Sequence, residues 1–199
     1  MLRIVVLISG GGSNLLALLE ATATPGFPAE IVAVGSDTDA AGLAYARERG
    51  IPHFTVRPAD FADRPAWGEA LLAEIGAHTP DLVVSAGLMR ILPPNVVSAL
   101  SPHLINTHPA LLPLYPGAHA VRDALAAGAT RTGVTVHVID AGVDTGPTIR
   151  QAAVDVRPGE SEAELHERIK TLERPLLVDV VRDIATQKII LEELNEWPS

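Results

Sequence analysis

The chain has 199 residues, within the roughly 250 that a single hydrophobic core serves before chains tend to split. Aliphatic residues dominate and aromatics make up only 4%, a balance suited to helices packed on a buried parallel sheet rather than to a β-sandwich. The absence of cysteine excludes a disulfide framework and thiolate chemistry, and a formal net charge of −9 without a dense Lys/Arg cluster argues against nucleic acid as a partner.

Ile4-Val5-Val6-Leu7-Ile8 is an unbroken apolar run closed by Ser9-Gly10-Gly11-Gly12, the pattern of a strand buried on both faces. The run is too short to span a membrane and no signal-peptide cleavage pattern follows it, so the expected setting is cytoplasmic. Ser13 and Asn14 are good N-cap residues for a helix that fades at Thr24-Pro25-Gly26. Residues 31–35 repeat the strand signature, residues 40–49 read as a helix stopped by Gly50, and Phe54-Thr55-Val56 gives a third strand. A helix over residues 64–77 then leads to a fourth buried strand over residues 81–87.

Residues 103–107 read as a fifth strand, followed by a proline-rich loop over residues 109–117 and a helix around residues 121–127. Residues 132–139 alternate polar and apolar, and residues 148–156 do so less cleanly, which predicts strands of a sheet that turns antiparallel or mixed near its edge. Ser161-Glu162-Ala163-Glu164 is a capping-box pattern opening a long amphipathic helix to about residue 186, with Pro175 placed to kink it. The expected fold is therefore one α/β domain over residues 1–199, a Rossmann-like, open, mostly parallel sheet with helices on both faces. Ligands are expected at the C-terminal strand ends, which carry residues 10–13, 87–90 and 106–109.

The loop from Gly10 through Gly12, Ser13 and Asn14 joins a buried strand to a helix, where free backbone N–H groups favour an anion such as a phosphate; a merely tight turn is the plainer alternative. The dinucleotide fingerprint would need a glycine where Leu15 stands, and a Walker ending is absent. Asn106 and His108 lie two positions apart at a strand end and so point the same way, offering an amide donor and an imidazole to one reacting group. A histidine at such a place is structural about as often as functional. Asp144, in the glycine-flanked loop Gly142-Val143-Asp144-Thr145-Gly146, would orient that ring, or else merely closes an Asx-type turn. Thr135 and His137 share a strand face and would line or stabilise the pocket. No histidine spacing suits a metal, and no Gly-x-Ser-x-Gly signals a serine hydrolase.

Four ordered motifs, Gly10-Gly11-Gly12-Ser13-Asn14, Ser85 through Leu92, Asn106 through Pro113 and Asp140 through Pro147, closely resemble the phosphoribosylglycinamide formyltransferases, folate-dependent enzymes of purine biosynthesis, over essentially the whole chain. The resemblance implies formyl transfer from 10-formyltetrahydrofolate to the primary amine of glycinamide ribonucleotide, without a metal. It implies that Asn106 and His108 stabilise the tetrahedral intermediate while Asp144 tunes His108 and helps move the proton. It places the ribonucleotide against Gly12, Ser13, Asn14 and Glu173. The folate falls to Arg64, Met89, Arg90, Ile91, Leu92, Asn106 and the loop Asp140, Ala141, Gly142, Val143 and Asp144. A ribonucleotide-binding half over about residues 1–100, a catalytic and folate-binding half over about residues 101–199, and a monomer or weak homodimer are further expectations. Gly11, Thr107 and Leu114 depart from the commonest family pattern, and the last removes a basic residue ahead of Tyr115-Pro116-Gly117. Methionyl-tRNA formyltransferase and formyltetrahydrofolate deformylase share parts of the pattern but usually carry an added domain. A non-catalytic folate-binding module would lack the acid-base set.

Overall fold

The computed structural model describes residues 1–194, so the last five residues of the single domain expected over 1–199 lie outside the described residues. In chain order the elements are β1 (Leu2–Ile8), α1 (Ser13–Thr22), β2 (Ala29–Ser36), α2 (Leu43–Glu48), β3 (His53–Thr55), a 3-10 turn (Pro58–Asp60), α3 (Arg64–Ala77), β4 (Leu82–Ser85), α4 (Pro94–Leu100), β5 (Leu104–His108), α5 (Ala120–Ala126), β6 (Arg131–Val138), β7 (Thr148–Asp155), α6 (Glu162–Ala185) and α7 (Leu191–Leu194). Successive side chains of a strand point to opposite faces, and β1 divides its own accordingly. Ile4, Val6 and Ile8 join one apolar cluster with side chains of α1, α2 and α6; Val5 and Leu7 join a second with α3 and α4. With no face left for water, β1 can only lie inside the sheet.

The strand order is β3-β2-β1-β4-β5-β6-β7. The first five strands in the chain pair in parallel, whereas β6 runs antiparallel to β5 and β7 antiparallel to β6. The chain builds outward from β1 to β3, then returns to lay β4 on the other side of β1. That reversal opens a crevice at the carboxyl ends of β1 and β4, where α/β sheets hold ligands.

The fold class matches the expectation from the sequence, with local differences that have physical causes. The alternating β6 segment lies one strand in from the edge, and residues 132–138 are buried throughout, leaving β7 as the edge strand. The helix expected over residues 40–49 is only α2, because residues 41–42 make a turn that brings Gly42 against the β1–α1 loop. Two short helices carry no periodic signal: α4, which opens on Pro94 where a missing N–H costs no helical bond, and α7. The capping box is formed, with Ser161 accepting from the Glu164 N–H and the Glu164 carboxylate accepting from the Ser161 N–H, and α6 stays one helix through Pro175. Its Leu165, Ile169, Glu173 and Leu177 recur four apart on the buried face. Among the described residues no helix is long and apolar enough to cross a membrane.

Gly133 shows how tightly β6 and β7 meet, since a Cβ there would run into the backbone oxygen of Ala152 and come within 2.8 Å of the Leu111 side chain. Backbone cannot give way as a flexible side chain does. Gly133→Ala should lower the unfolding free energy by about 1–3 kcal/mol in urea denaturation. An unchanged midpoint would mean that the two strands are not packed this closely.

Candidate active site

At the carboxyl end of β5 the antiparallel register with β6 sets Asn106 opposite His137 and His108 opposite Thr135. Directly opposed residues share a sheet face, as do residues two apart on one strand, so these four side chains project together. Thr107 takes the other face, where its hydroxyl lies 3.4 Å from the amide nitrogen of the buried Asn14 on α1.

Asp144 reaches this cluster from the β6–β7 loop. Its Oδ2 accepts the Gly117 backbone N–H at 2.7 Å and lies 3.4 Å from His108 Nδ1, while Oδ1 lies 3.6 Å from His137 Nε2. The His137 imidazole, ahead of the Gly117 N–H and the His108 ring, holds the Asp144 carboxyl down at about 2, overcoming the opposing effect of burial. The carboxylate is therefore charged throughout the neutral range.

Hydrogen bonding to carbonyls assigns the ring protons, because a carbonyl oxygen only accepts. His137 Nδ1 donates to the Val138 carbonyl at 2.9 Å, so in the neutral ring Nε2 accepts the Asn106 amide N–H at 3.3 Å, and it is the ring protonated on both nitrogens that presents an N–H to Asp144. That contact orients the Asn106 amide and leaves its second N–H for an incoming oxygen. His108 Nε2 donates to the Tyr115 carbonyl at 2.8 Å, which turns Nδ1 toward Asp144. The loop before α5 thus reaches His108 and Asp144 through backbone atoms, the Tyr115 carbonyl and the Gly117 N–H. Tyr115 and Asp144 both have φ near +55°, an uncommon left-handed conformation for a bulky residue such as tyrosine and one that recurs at functional sites.

Thr135 is fully buried and its hydroxyl is saturated: it donates to the Ala110 carbonyl at 2.7 Å and accepts from the Leu112 N–H at 3.0 Å and Gln151 Nε2 at 2.9 Å. It stabilises the site by anchoring the loop and has no group left for a ligand. The Asx-type turn falls to Asp140, whose Oδ1 accepts the Gly142 N–H at 3.0 Å and the Thr145 hydroxyl at 2.8 Å, so Asp144 is free to point inward. Ala141, Gly142 and Val143 form the exposed tip of that loop.

Across the crevice, α1 is capped by Gly12 rather than by Ser13 or Asn14, which both lie inside the helix. Gly12 has φ +72°, and a Cβ there would come within 3.1 Å of the Gly42 Cα, so only glycine fits both the turn and the approach. No side chain caps this helix start, which leaves its first N–H groups to an anion. After β4, Met89 and Ile91 are exposed while Leu92 packs into the core with Trp67 and Leu71, so Leu92 acts as an anchor of the segment. Arg64, at the start of α3, donates to the Ile91 carbonyl at 2.8 Å, and the Arg90 side chain turns to Asp37 at 2.8 Å. Glu173 is largely buried on α6 and makes no hydrogen bond or ion pair among the described residues, while its carboxylate oxygens keep contact with solvent. The contributions of Tyr115 and Gly117 escape a reading by residue type because they are backbone groups. Asp37 and Ser9 were open to notice only as polar residues at the ends of the strands they follow.

The sequence profile of the formyl transferase family matches residues 2–181 of this chain. The phosphoribosylglycinamide formyltransferase of Mycobacterium tuberculosis is 52% identical over 187 residues, covering 94% of this chain and 86% of that one. The Escherichia coli protein of the same name is 41% identical, covering 98% of this chain and 93% of its own length. The crystal structure of glycinamide ribonucleotide transformylase 1 from Symbiobacterium toebii superposes with a TM-score of 0.92 at 39% identity, covering 96% of this chain and 90% of that one.

A carboxyl held at about 2 gives a direct prediction for solution. In carbon-detected NMR the Asp144 carboxyl should titrate near 2 and rise in His137→Ala, which removes the largest of its stabilising partners. A depressed carboxyl adds stability that is complete above its unfolded value of about 3.9 and is lost as the pH falls through the folded value. The stability advantage of wild type over Asp144→Asn should therefore shrink below about pH 4, by an amount on the order of 2 kcal/mol. An Asp144 titration near 4 in wild type would show that the two rings do not hold it.

Proposed function

The chain belongs to the formyl transferase family, and we propose that it moves a formyl group from 10-formyltetrahydrofolate to the primary amine of glycinamide ribonucleotide, a cytoplasmic step of de novo purine synthesis toward IMP. The observation that carries this reading is the convergence of Asn106, His108 and Asp144, with Asp144 Oδ2 3.4 Å from the His108 ring and His137 aligning the Asn106 amide. Relatives named for this activity share the chain almost end to end.

The amine nitrogen attacks the formyl carbon, a new N–C bond forms, and the carbonyl oxygen takes up negative charge. The free N–H of Asn106 and a ring N–H of His108 are the donors for that charge, in a place with little water to compete. The Tyr115 carbonyl marks where an acceptor oxygen sits against His108 Nε2, so that segment gives way as the substrate enters. The C–N10 bond then breaks, and the proton lost by the amine passes to N10 with the help of the Asp144 carboxylate, which also faces the His108 ring and balances charge on it. No covalent enzyme intermediate is needed, since the attacking group is the substrate's own amine.

The uncapped start of α1 at Gly12, Ser13 and Asn14 suits the phosphate of the ribonucleotide, and the Glu173 carboxylate, which has no ion-pair partner among the described residues, suits its amine end. The segment Met89, Arg90, Ile91 and Leu92, steadied by Arg64, and the exposed loop Asp140, Ala141, Gly142 and Val143 are the places for the folate. The segment's remaining backbone N–H and C=O groups, other than the Met89 N–H held by Ser9 and the Ile91 carbonyl held by Arg64, are suited to read the pterin edge. The ribonucleotide loop comes from the first half of the chain, whereas the catalytic strand and one of the two folate segments come from the second.

Incubating the protein with 10-formyltetrahydrofolate, with and without glycinamide ribonucleotide, tests the activity. Tetrahydrofolate should accumulate only when the amine substrate is present; equal release without it would point to hydrolysis and overturn the transferase reading. Asn106→Ala and His108→Ala should each lose about 100- to 1000-fold in turnover while remaining folded, the usual cost of removing one oxyanion donor. Wild-type turnover by His108→Ala would remove it from the mechanism.

A further inference from the structure

Ser9 follows β1 beside the end of β4, and each of its polar groups is used to join neighbouring segments. Its backbone N–H donates to the Gly87 carbonyl at 3.1 Å and its carbonyl accepts the Thr38 hydroxyl at 3.1 Å. Its hydroxyl accepts the Met89 N–H at 2.7 Å and donates to Asp37 Oδ1 at 2.6 Å. Asp37 follows β2, is only 4% exposed, and its other oxygen accepts Arg90 Nε at 2.8 Å. One buried carboxylate therefore gathers the segments after β1, β2 and β4.

We infer that Asp37 is a positioning residue: through Ser9 it fixes the Met89 amide and so sets the distance between the Gly12 to Asn14 loop and the Met89 to Leu92 segment. The inference rests on the functional reading above, in which those two segments hold the two substrates. A buried carboxylate is costly unless paired, and a fold that needed only a filled space here could use an apolar side chain. Ser9 has a single hydroxyl proton. By taking it, Asp37 leaves the oxygen's lone pairs turned to the Met89 N–H. Removing the carboxylate lets the hydroxyl rotate and frees the folate segment to drift relative to the ribonucleotide loop. The Arg90 limb matters less, because its half-exposed guanidinium is paired at the solvent boundary.

Misplacement of reacting groups by about 1 Å can cost about 100-fold. Asp37→Ala, checked for folding by circular dichroism, should lose about 10- to 100-fold in kcat/KM for the formyl donor, while its Kd for glycinamide ribonucleotide stays within about threefold of wild type. Asp37→Asn keeps an oxygen for the Ser9 hydroxyl and should recover most of the loss, although the pair with Arg90 is gone. Ser9→Ala, which deletes the hydroxyl itself, should reproduce the Asp37→Ala kinetics and decides the matter if Asp37→Ala does not fold. Wild-type kinetics in folded Asp37→Ala and Ser9→Ala, or Asp37→Asn as impaired as Asp37→Ala, would overturn the inference. Wild-type protein that does not formylate glycinamide ribonucleotide at all would overturn the functional reading instead.

Discussion

A carboxylate enclosed by protein keeps its charge only if favourable contacts meet it from several sides, and at Asp144 those contacts come from three separate parts of the chain. His137 belongs to β6, His108 to the end of β5, and the Gly117 N–H to the loop before α5. The charge holds them to one geometry, and their combined effect keeps the carboxyl at about 2. Asn106 depends on the same arrangement at one remove, since its amide is aligned by the ring that also faces Asp144. Changes at His137 should therefore be felt at Asn106 and at Asp144 together.

The change from parallel to antiparallel pairing at β5 makes this geometry available. In antiparallel pairing β6 lays His137 directly across from Asn106 and Thr135 across from His108, and the return toward β7 brings Asp144 back over the same strand end. The reversal of strand order between β1 and β4 supplies the rest of the cleft, with an uncapped helix start on one side and a backbone segment pinned by Ser9, Arg64 and Leu92 on the other. Under the proposed function the same sheet carries the ribonucleotide loop, a folate segment and the acid-base centre.

Much of this was legible in the residues. The unbroken apolar run from Ile4 to Ile8 indicated an interior strand, and the capping box at Ser161 marked where the long helix starts. The two-residue spacing of Asn106 and His108 indicated a shared face. Spacing alone left Asp144 between an inward role and a turn; the structure gives the turn to Asp140, a distinction that depends on which carboxylate the Gly142 N–H and Thr145 hydroxyl reach. At the start of α1, Ser13 and Asn14 are good caps by type, whereas the close approach of Gly42 selects a left-handed glycine at position 12. Contacts made by the backbone of Tyr115 and Gly117, and the long-range gathering of Ser9, Asp37 and Arg90, depend on tertiary proximity that no local pattern encodes.

The most direct test of the account is a single-turnover measurement of formyl transfer by Asp144→Asn, with both substrates bound beforehand at saturating concentration. The isosteric amide keeps the shape of the site and removes its charge. The account predicts that both substrates still bind while the chemical step slows by about 100- to 10,000-fold, the range associated with a positioned acid-base group. A chemical step at the wild-type rate would contradict it, because the charge at Asp144 would then organise nothing that the reaction needs.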